Sequence, residues 1–125
     1  MRAALAAAVF ATALLSSGPA AAQDPTKDGE FRVPLESIIV GLAEGTCDPV
    51  HLAPDFIPLC EEQLWEVGQA LQMFGAITEM RLIDREGEGD ARREIYEVDF
   101  SSGRTVKAGI GGRIDGKLTS LSFDG

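Results

Sequence analysis

The pattern of apolar and polar positions divides residues 34–125 into a helical half and a strand half. In residues 34–44 the apolar side chains recur at i, i+3, i+4 and i+7, which predicts one buried helix face. That face consists of Leu35, Ile38, Ile39 and Leu42. Pro34 suits the first helical position and Gly45 suits the left-handed residue that follows a helix. Residues 61–74 predict a second helix, with Trp65 and Gly68 beside an apolar stripe of Leu64, Val67, Leu71 and Phe74.

After Gly75 the period changes from helical to alternating, which predicts strands at residues 76–83, 95–100, 104–110 and 118–123. In the second strand, alternation directs Tyr96, Val98 and Phe100 to one face, opposite Glu97 and Asp99. Residues 84–93 form a charged loop, and Asp115-Gly116 predicts a tight hairpin. Helices followed by strands favour an α+β domain, with two N-terminal helices packed on one face of a four-stranded antiparallel sheet.

The first 22 residues have the features of a cleaved secretory signal peptide. Arg2 precedes an uncharged apolar run over residues 3–15, and Ala20-Ala21-Ala22 offers small side chains before a cut at Gln23. The run is shorter than the roughly 20 residues that span a bilayer, although an uncleaved anchor is the alternative. We therefore predict Sec-dependent export to a bacterial periplasm or medium. Residues 23–33 are predicted to be a flexible leader, and residues 34–125 a single domain.

Charge and cysteine content narrow the possible partners and the compartment. The net charge is −9, which disfavours binding to nucleic acid or to an anionic membrane surface after cleavage. Cys47 and Cys60 enclose a Pro-rich loop, and two cysteines in an exported chain predict one structural disulfide. A redox pair is the alternative, but these cysteines lack the Cys-x-x-Cys spacing.

Three motifs resemble small bacterial exported modules of the cystatin-like, nuclear-transport-factor-like (polyketide-cyclase-like) class, which also occur fused to beta-lactamase-like serine hydrolases. The motifs are a helix ending in Gly75-Ala76-Ile77, a strand with Tyr96, Val98, Phe100 and Gly103, and a hairpin with Asp115, Gly116, Lys117, Leu118, Leu121 and Phe123. The resemblance covers residues 35–123 and implies a cystatin-like fold. The chain departs from the pattern at Ala108 and at Gly111-Gly112, which predict a thinner core and a bend.

The resemblance implies no single activity, because the class includes isomerases, cyclases and binding domains, and the matched residues are framework positions. His51, the one histidine, lies in a loop without a nucleophile motif, so we expect a surface role. Asp84, Glu86 and Glu88 match the opening of a calcium loop, but the twelfth position is Ile95. Residues 109–112 (GIGG) lack a phosphate-loop context and predict a bend.

We therefore expect an exported, non-catalytic accessory or protein-binding domain without metal or cofactor. The first alternative is a carrier for a small apolar ligand, whose pocket between sheet and helices would be lined by Tyr96, Val98, Val106 and Ile110. The second alternative is an isomerase or cyclase, which needs an inward carboxylate that the pattern does not identify. Tyr96 and Asp99 cannot share such a site, because they face opposite sides of the strand. An exposed Trp65 would instead indicate a binding face.

Overall fold

The structure is a computed structural model that describes residues 29–125. Helices α1 (Arg32–Ala43) and α2 (Ile57–Phe74) precede four strands in chain order: β1 (Ile77–Glu86), β2 (Arg93–Phe100), β3 (Thr105–Ile114) and β4 (Lys117–Asp124). The strands form one sheet in the order β1-β2-β3-β4, and every neighbouring pair is antiparallel. The predicted α+β arrangement is therefore confirmed. The predicted signal peptide lies outside the described residues.

One face of the sheet packs against both helices and forms the hydrophobic core. The alternation predicted for β2 is confirmed, because Tyr96, Val98 and Phe100 are all buried. Helix α1 contributes the stripe predicted for it, namely Leu35, Ile38, Ile39 and Leu42. From β3 the core receives Val106, Ala108 and Ile110. Burial of each large apolar side chain contributes about 1.5–3 kcal/mol, so this shared face holds the two halves together.

Both helices begin earlier than the sequence predicted. Helix α1 starts at Arg32, and Phe31 before it is only 3% exposed, so the folded domain includes part of the predicted leader. Helix α2 starts at Ile57, because Pro58 fits the first helical turn, where its missing N–H has no partner to lose. Consequently, Cys60 lies within α2 rather than in the connecting loop.

The loop between β1 and β2 is shorter than the charged loop predicted at residues 84–93. Strand β1 continues to Glu86 and β2 begins at Arg93, with one 3-10 turn at Gly89–Ala91 between them. Charged side chains do not end β1, because it is an edge strand whose side chains reach solvent. On β3, Gly112 has φ +68°, which interrupts regular strand geometry near the bend predicted at the glycine pair.

The connection between the helices is held at both of its ends. The predicted disulfide joins Cys47 to Cys60. Asp48 accepts hydrogen bonds from the Val50 N–H (2.8 Å) and the Ser37 hydroxyl (2.9 Å). The loop then forms a parallel bridge with β4 through Leu52 and Leu118. Within residues 29–125, neither helix is long and apolar enough to cross a membrane.

We predict that replacing both Cys47 and Cys60 with Ala lowers the free energy of unfolding by about 3 kcal/mol, because the unfolded chain then regains the entropy of a loop of this length. Urea unfolding of the oxidised wild type and the double variant measures the difference. Adding reductant should destabilise the wild type and leave the variant unchanged. Equal urea midpoints for both proteins would contradict a structural role of the disulfide.

Candidate functional site

Glu94 on β2 is the one acidic side chain that is completely buried among the described residues, at 0% exposure. Its Oε1 accepts hydrogen bonds from the Tyr96 hydroxyl (2.5 Å) and the Phe31 N–H (2.9 Å). Its Oε2 accepts from the Glu30 N–H (2.8 Å) and from Arg92 Nε (2.6 Å). Four donors therefore surround one carboxylate.

The local sequence explains this arrangement. Glu94 precedes Tyr96 by two positions, so the alternation of β2 directs both side chains toward the helices. The chain before α1 passes directly over them, because a Cβ at Gly29 would overlap the Tyr96 hydroxyl. Gly29 also has φ +88°, a left-handed conformation that glycine adopts without strain. Gly29 thus lets the main chain approach closely enough to hydrogen-bond with Glu94.

Electrostatics keep the pair in fixed protonation states. Burial alone would raise the pKa of Glu94, but hydrogen bonds from Tyr96, from the Phe31 and Glu30 amides and from Arg92 bring that pKa below its ordinary value. Burial and the neighbouring Glu94 carboxylate raise the pKa of Tyr96 far above its usual range. At neutral pH, Glu94 is therefore a charged acceptor and Tyr96 a neutral donor.

A second layer of charges surrounds this carboxylate. Arg92 Nε lies 3.3 Å from the Glu30 carboxylate, and Arg113 Nη1 lies 3.8 Å from the other oxygen of Glu30. The Arg113 guanidinium also lies over the Phe31 ring, 5.1 Å from its centroid. We call Glu30, Arg92, Glu94, Tyr96 and Arg113 the Glu94 cluster. It connects β2 and β3 to the segment that leads into α1.

The chemistry of the Glu94 cluster favours a structural role. A general base must come within hydrogen-bond reach of a substrate proton, and hydrogen-bond donors that stabilise a carboxylate lower its basicity. Both oxygens of Glu94 already accept two hydrogen bonds each, and no part of the side chain is exposed. The sequence prediction missed Glu94, because it placed this residue outside the strand. The sequence feature that could have identified Glu94 is its position two residues before Tyr96, whose side chain was predicted to face inward.

The residues predicted to line a pocket lie within the core. Tyr96, Val98, Val106 and Ile110 all belong to the buried cluster between sheet and helices. Trp65 lies apart from them on α2, where 74% of it is exposed. The predicted binding residues thus separate into four core residues and one surface residue. As expected, Tyr96 and Asp99 face opposite sides, since Asp99 binds Arg81 at 2.8 Å on the outer face of the sheet.

An apolar cavity of about 280 Å³ lies between α2 and the edge strand β4. We call it the α2–β4 groove, and its main apolar walls are Leu42, Phe56, Leu59, Val67, Leu121 and Phe123. None of the four core residues predicted for a pocket lines it. The groove lies beside the sheet rather than inside the core. Its position could not be read from strand alternation alone, because it depends on how α2 crosses the sheet edge.

The solvent side of α2 combines apolar and acidic side chains. Leu59 and Met73 are 54% and 80% exposed, and Trp65 is similarly exposed. The same helix carries Glu61, Glu62 and Glu66, all exposed, and contains no Lys or Arg. We call this exposed surface the α2 face. Large exposed apolar side chains rimmed by polar ones are found at many sites that bind another molecule.

The other candidates from the sequence have ordinary structural surroundings. His51 Nδ1 lies 2.8 Å from Asp48, within the loop that the disulfide closes. The acids proposed for a calcium loop fall on β1 and its following turn, and residues 29–125 contain no group of three or more His, Cys, Asp or Glu placed to hold a metal ion.

No protein family, no curated protein and no solved structure matches this chain. The resemblance to the cystatin-like class therefore stays a prediction from the three sequence motifs.

We predict that Glu94→Gln lowers the free energy of unfolding by about 3–5 kcal/mol, because it leaves Arg92 without its buried partner. The amide of Gln also places a donor where Glu94 accepts hydrogen bonds from main-chain N–H groups. Urea unfolding at pH 7 measures this loss. Glu97→Gln, on the opposite face of β2, is the matched control and should change stability by less than about 0.5 kcal/mol. Equal effects of both substitutions would contradict a stabilising role of the Glu94 cluster.

The stabilisation by Glu94 should also depend on pH. Its pKa in the folded protein is lower than the ordinary 4.5, so its contribution is present above pH 4.5 and is lost as pH falls through the folded value. Urea midpoints measured from pH 7 to pH 3 should therefore fall more steeply for the wild type than for Glu94→Gln. Parallel pH profiles for the two proteins would show that Glu94 does not titrate as described.

Proposed function

We propose that this chain is an exported, non-catalytic protein-binding module that uses the α2 face. The observation that carries the proposal is the exposure of Trp65, the one tryptophan of the chain, on an acidic helix. Tryptophan is enriched among the residues that dominate binding energy at protein interfaces. Leu59 and Met73 extend the exposed apolar area along the same helix. A partner that covers these side chains would remove them from water.

Two further observations support this function over catalysis and over a cytoplasmic role. Among residues 29–125 the one fully buried acid is Glu94, and the protein itself fills its hydrogen-bonding capacity, so Glu94 is not available as the inward carboxylate that an isomerase or cyclase needs. The bond between Cys47 and Cys60 favours an oxidising compartment, where disulfides persist. This agrees with the signal peptide and with the periplasmic or secreted location proposed from the sequence.

A small apolar-ligand carrier is the second candidate, because the α2–β4 groove offers an apolar space of about 280 Å³. Pockets for small ligands usually measure about 300–1,000 Å³, so this space is at their lower limit. We therefore place the protein-binding function first.

We predict that a photo-crosslinking amino acid at position 65 gives a discrete protein adduct in cells that export the chain. The matched control is the same amino acid at Ile83, which is also partly exposed but lies on β1, the opposite edge strand. Position 83 should give no such adduct. Trp65→Ala should remove the adduct formed from a neighbouring position on α2 and leave the urea midpoint within experimental error, since Trp65 buries little area.

Two outcomes would contradict the proposed function. One is the same adduct pattern at positions 65 and 83, or no adduct at either. The other is turnover of a small substrate that is lost on replacing one core residue such as Tyr96.

A further inference from the structure

The edge of β4 is only partly paired by the chain itself. The Leu118 N–H donates to the His51 carbonyl (2.8 Å), and the Leu118 carbonyl accepts from the Ala53 N–H (2.8 Å). On β3 the Gly112 N–H bonds toward β2, so Gly109 and Gly111 bond to Ser122 and Ser120 of β4. The main-chain N–H and C=O groups of Leu121 and Phe123 therefore face the free edge. Within residues 29–125 no second segment pairs there, because Pro54 lacks an N–H and the chain turns into α2.

The two edges of the sheet differ in how they are protected. The other edge strand, β1, carries five charged side chains: Glu79, Arg81, Asp84, Arg85 and Glu86. Charges on an edge strand prevent pairing with other chains. By contrast, residues 118–123 of β4 carry no charge at all. Among the two edges, only that of β4 therefore remains suitable for pairing with a further strand.

The α2–β4 groove lies directly beside this unprotected edge. Leu121 and Phe123 form its floor, and Phe56 and Val67 form part of its opposite wall. An extended segment that paired with the main chain of Leu121 and Phe123 would direct every second side chain toward this groove. A dry apolar cavity of roughly 150 Å³ holds a benzene-sized group. A groove of about 280 Å³ thus has room for apolar side chains of that size.

Charge defines the partner more closely. Glu61, Glu62 and Glu66 are exposed on α2, and Asp124 is exposed at the end of β4. A segment with Lys or Arg on both sides of its apolar residues would complement these acids and associate faster with them. A second copy of this chain is disfavoured as the occupant, because each copy carries a net charge of −9.

We propose that β4 and the α2–β4 groove bind an extended, basic segment of a partner protein by strand addition. The proposal rests on the proposed protein-binding function and specifies its partner. Its main chain pairs with that of Leu121 and Phe123, its alternate apolar side chains enter the groove, and its flanking cations face the acids of α2.

The test begins with peptides selected for binding to the exported, oxidised protein from a display library of random 12-residue sequences. Selected peptides should show apolar residues at alternate positions, flanked by Lys or Arg. The probe is then one selected peptide, synthesised in two forms, with N-methyl groups on its odd-numbered or on its even-numbered amides. Methylation in one register should weaken binding about tenfold or more and in the other should not, since only alternate N–H groups face β4.

Protein variants provide the matched comparison. Leu121→Pro removes an edge N–H together with the side chain, whereas Leu121→Ala removes only the side chain beyond Cβ. The selected peptide should bind the first variant about tenfold more weakly than the second. If Leu121→Pro does not fold, by circular dichroism and urea unfolding, the N-methylated peptides decide the question.

Four outcomes would overturn strand addition. N-methylation could have no effect in either register, the selected peptides could lack cations, the protein could retain a small apolar ligand that fills the groove, or it could form a dimer that Leu121→Pro dissociates. If crosslinking at position 65 still succeeds in such a case, the protein-binding function stands and only its placement at β4 is lost. If no peptide is selected and no crosslink forms, both proposals fail.

Discussion

The fold depends on one buried carboxylate and on the chain segment that closes over it. An ionised Glu94 inside the domain would be strongly destabilising without partners, and it is tolerated because two main-chain N–H groups, Arg92 and Tyr96 donate to it. Two of these donors belong to residues 30 and 31, so the start of α1 is fixed to β2 by the same contacts. The carboxylate thus joins the helical half of the domain to its sheet.

This constraint has a consequence for function. Among residues 29–125, the charged group that is best protected from water is used to hold the segment before α1. The binding function proposed above therefore uses the surface of the domain. There the domain presents the α2 face, with Trp65 and three glutamates, and beside it the uncharged edge of β4. In the proposed function, the helix and the strand edge supply recognition.

Much of the architecture followed from periodicity. The apolar stripe of α1 and the alternation of Tyr96, Val98 and Phe100 predicted which faces are buried, because burial on one side imposes these periods. The starts of both helices were missed by two to four residues, since Phe31 and Pro58 act through tertiary contact and turn geometry. Glu94 was missed because a charged residue next to a charged segment resembles a loop unless its donors are known. Two of those donors are main-chain groups more than 60 positions away.

The most direct measurement is native-state hydrogen exchange of the Glu30 and Phe31 amides in the oxidised protein at neutral pH. The account predicts that both amides exchange as slowly as the Val98 amide in the centre of β2, because their release requires opening of the Glu94 cluster together with the core. Exchange as fast as that of exposed loop amides would contradict it. Glu94 would then be accessible to water, and a catalytic carboxylate would again have to be considered.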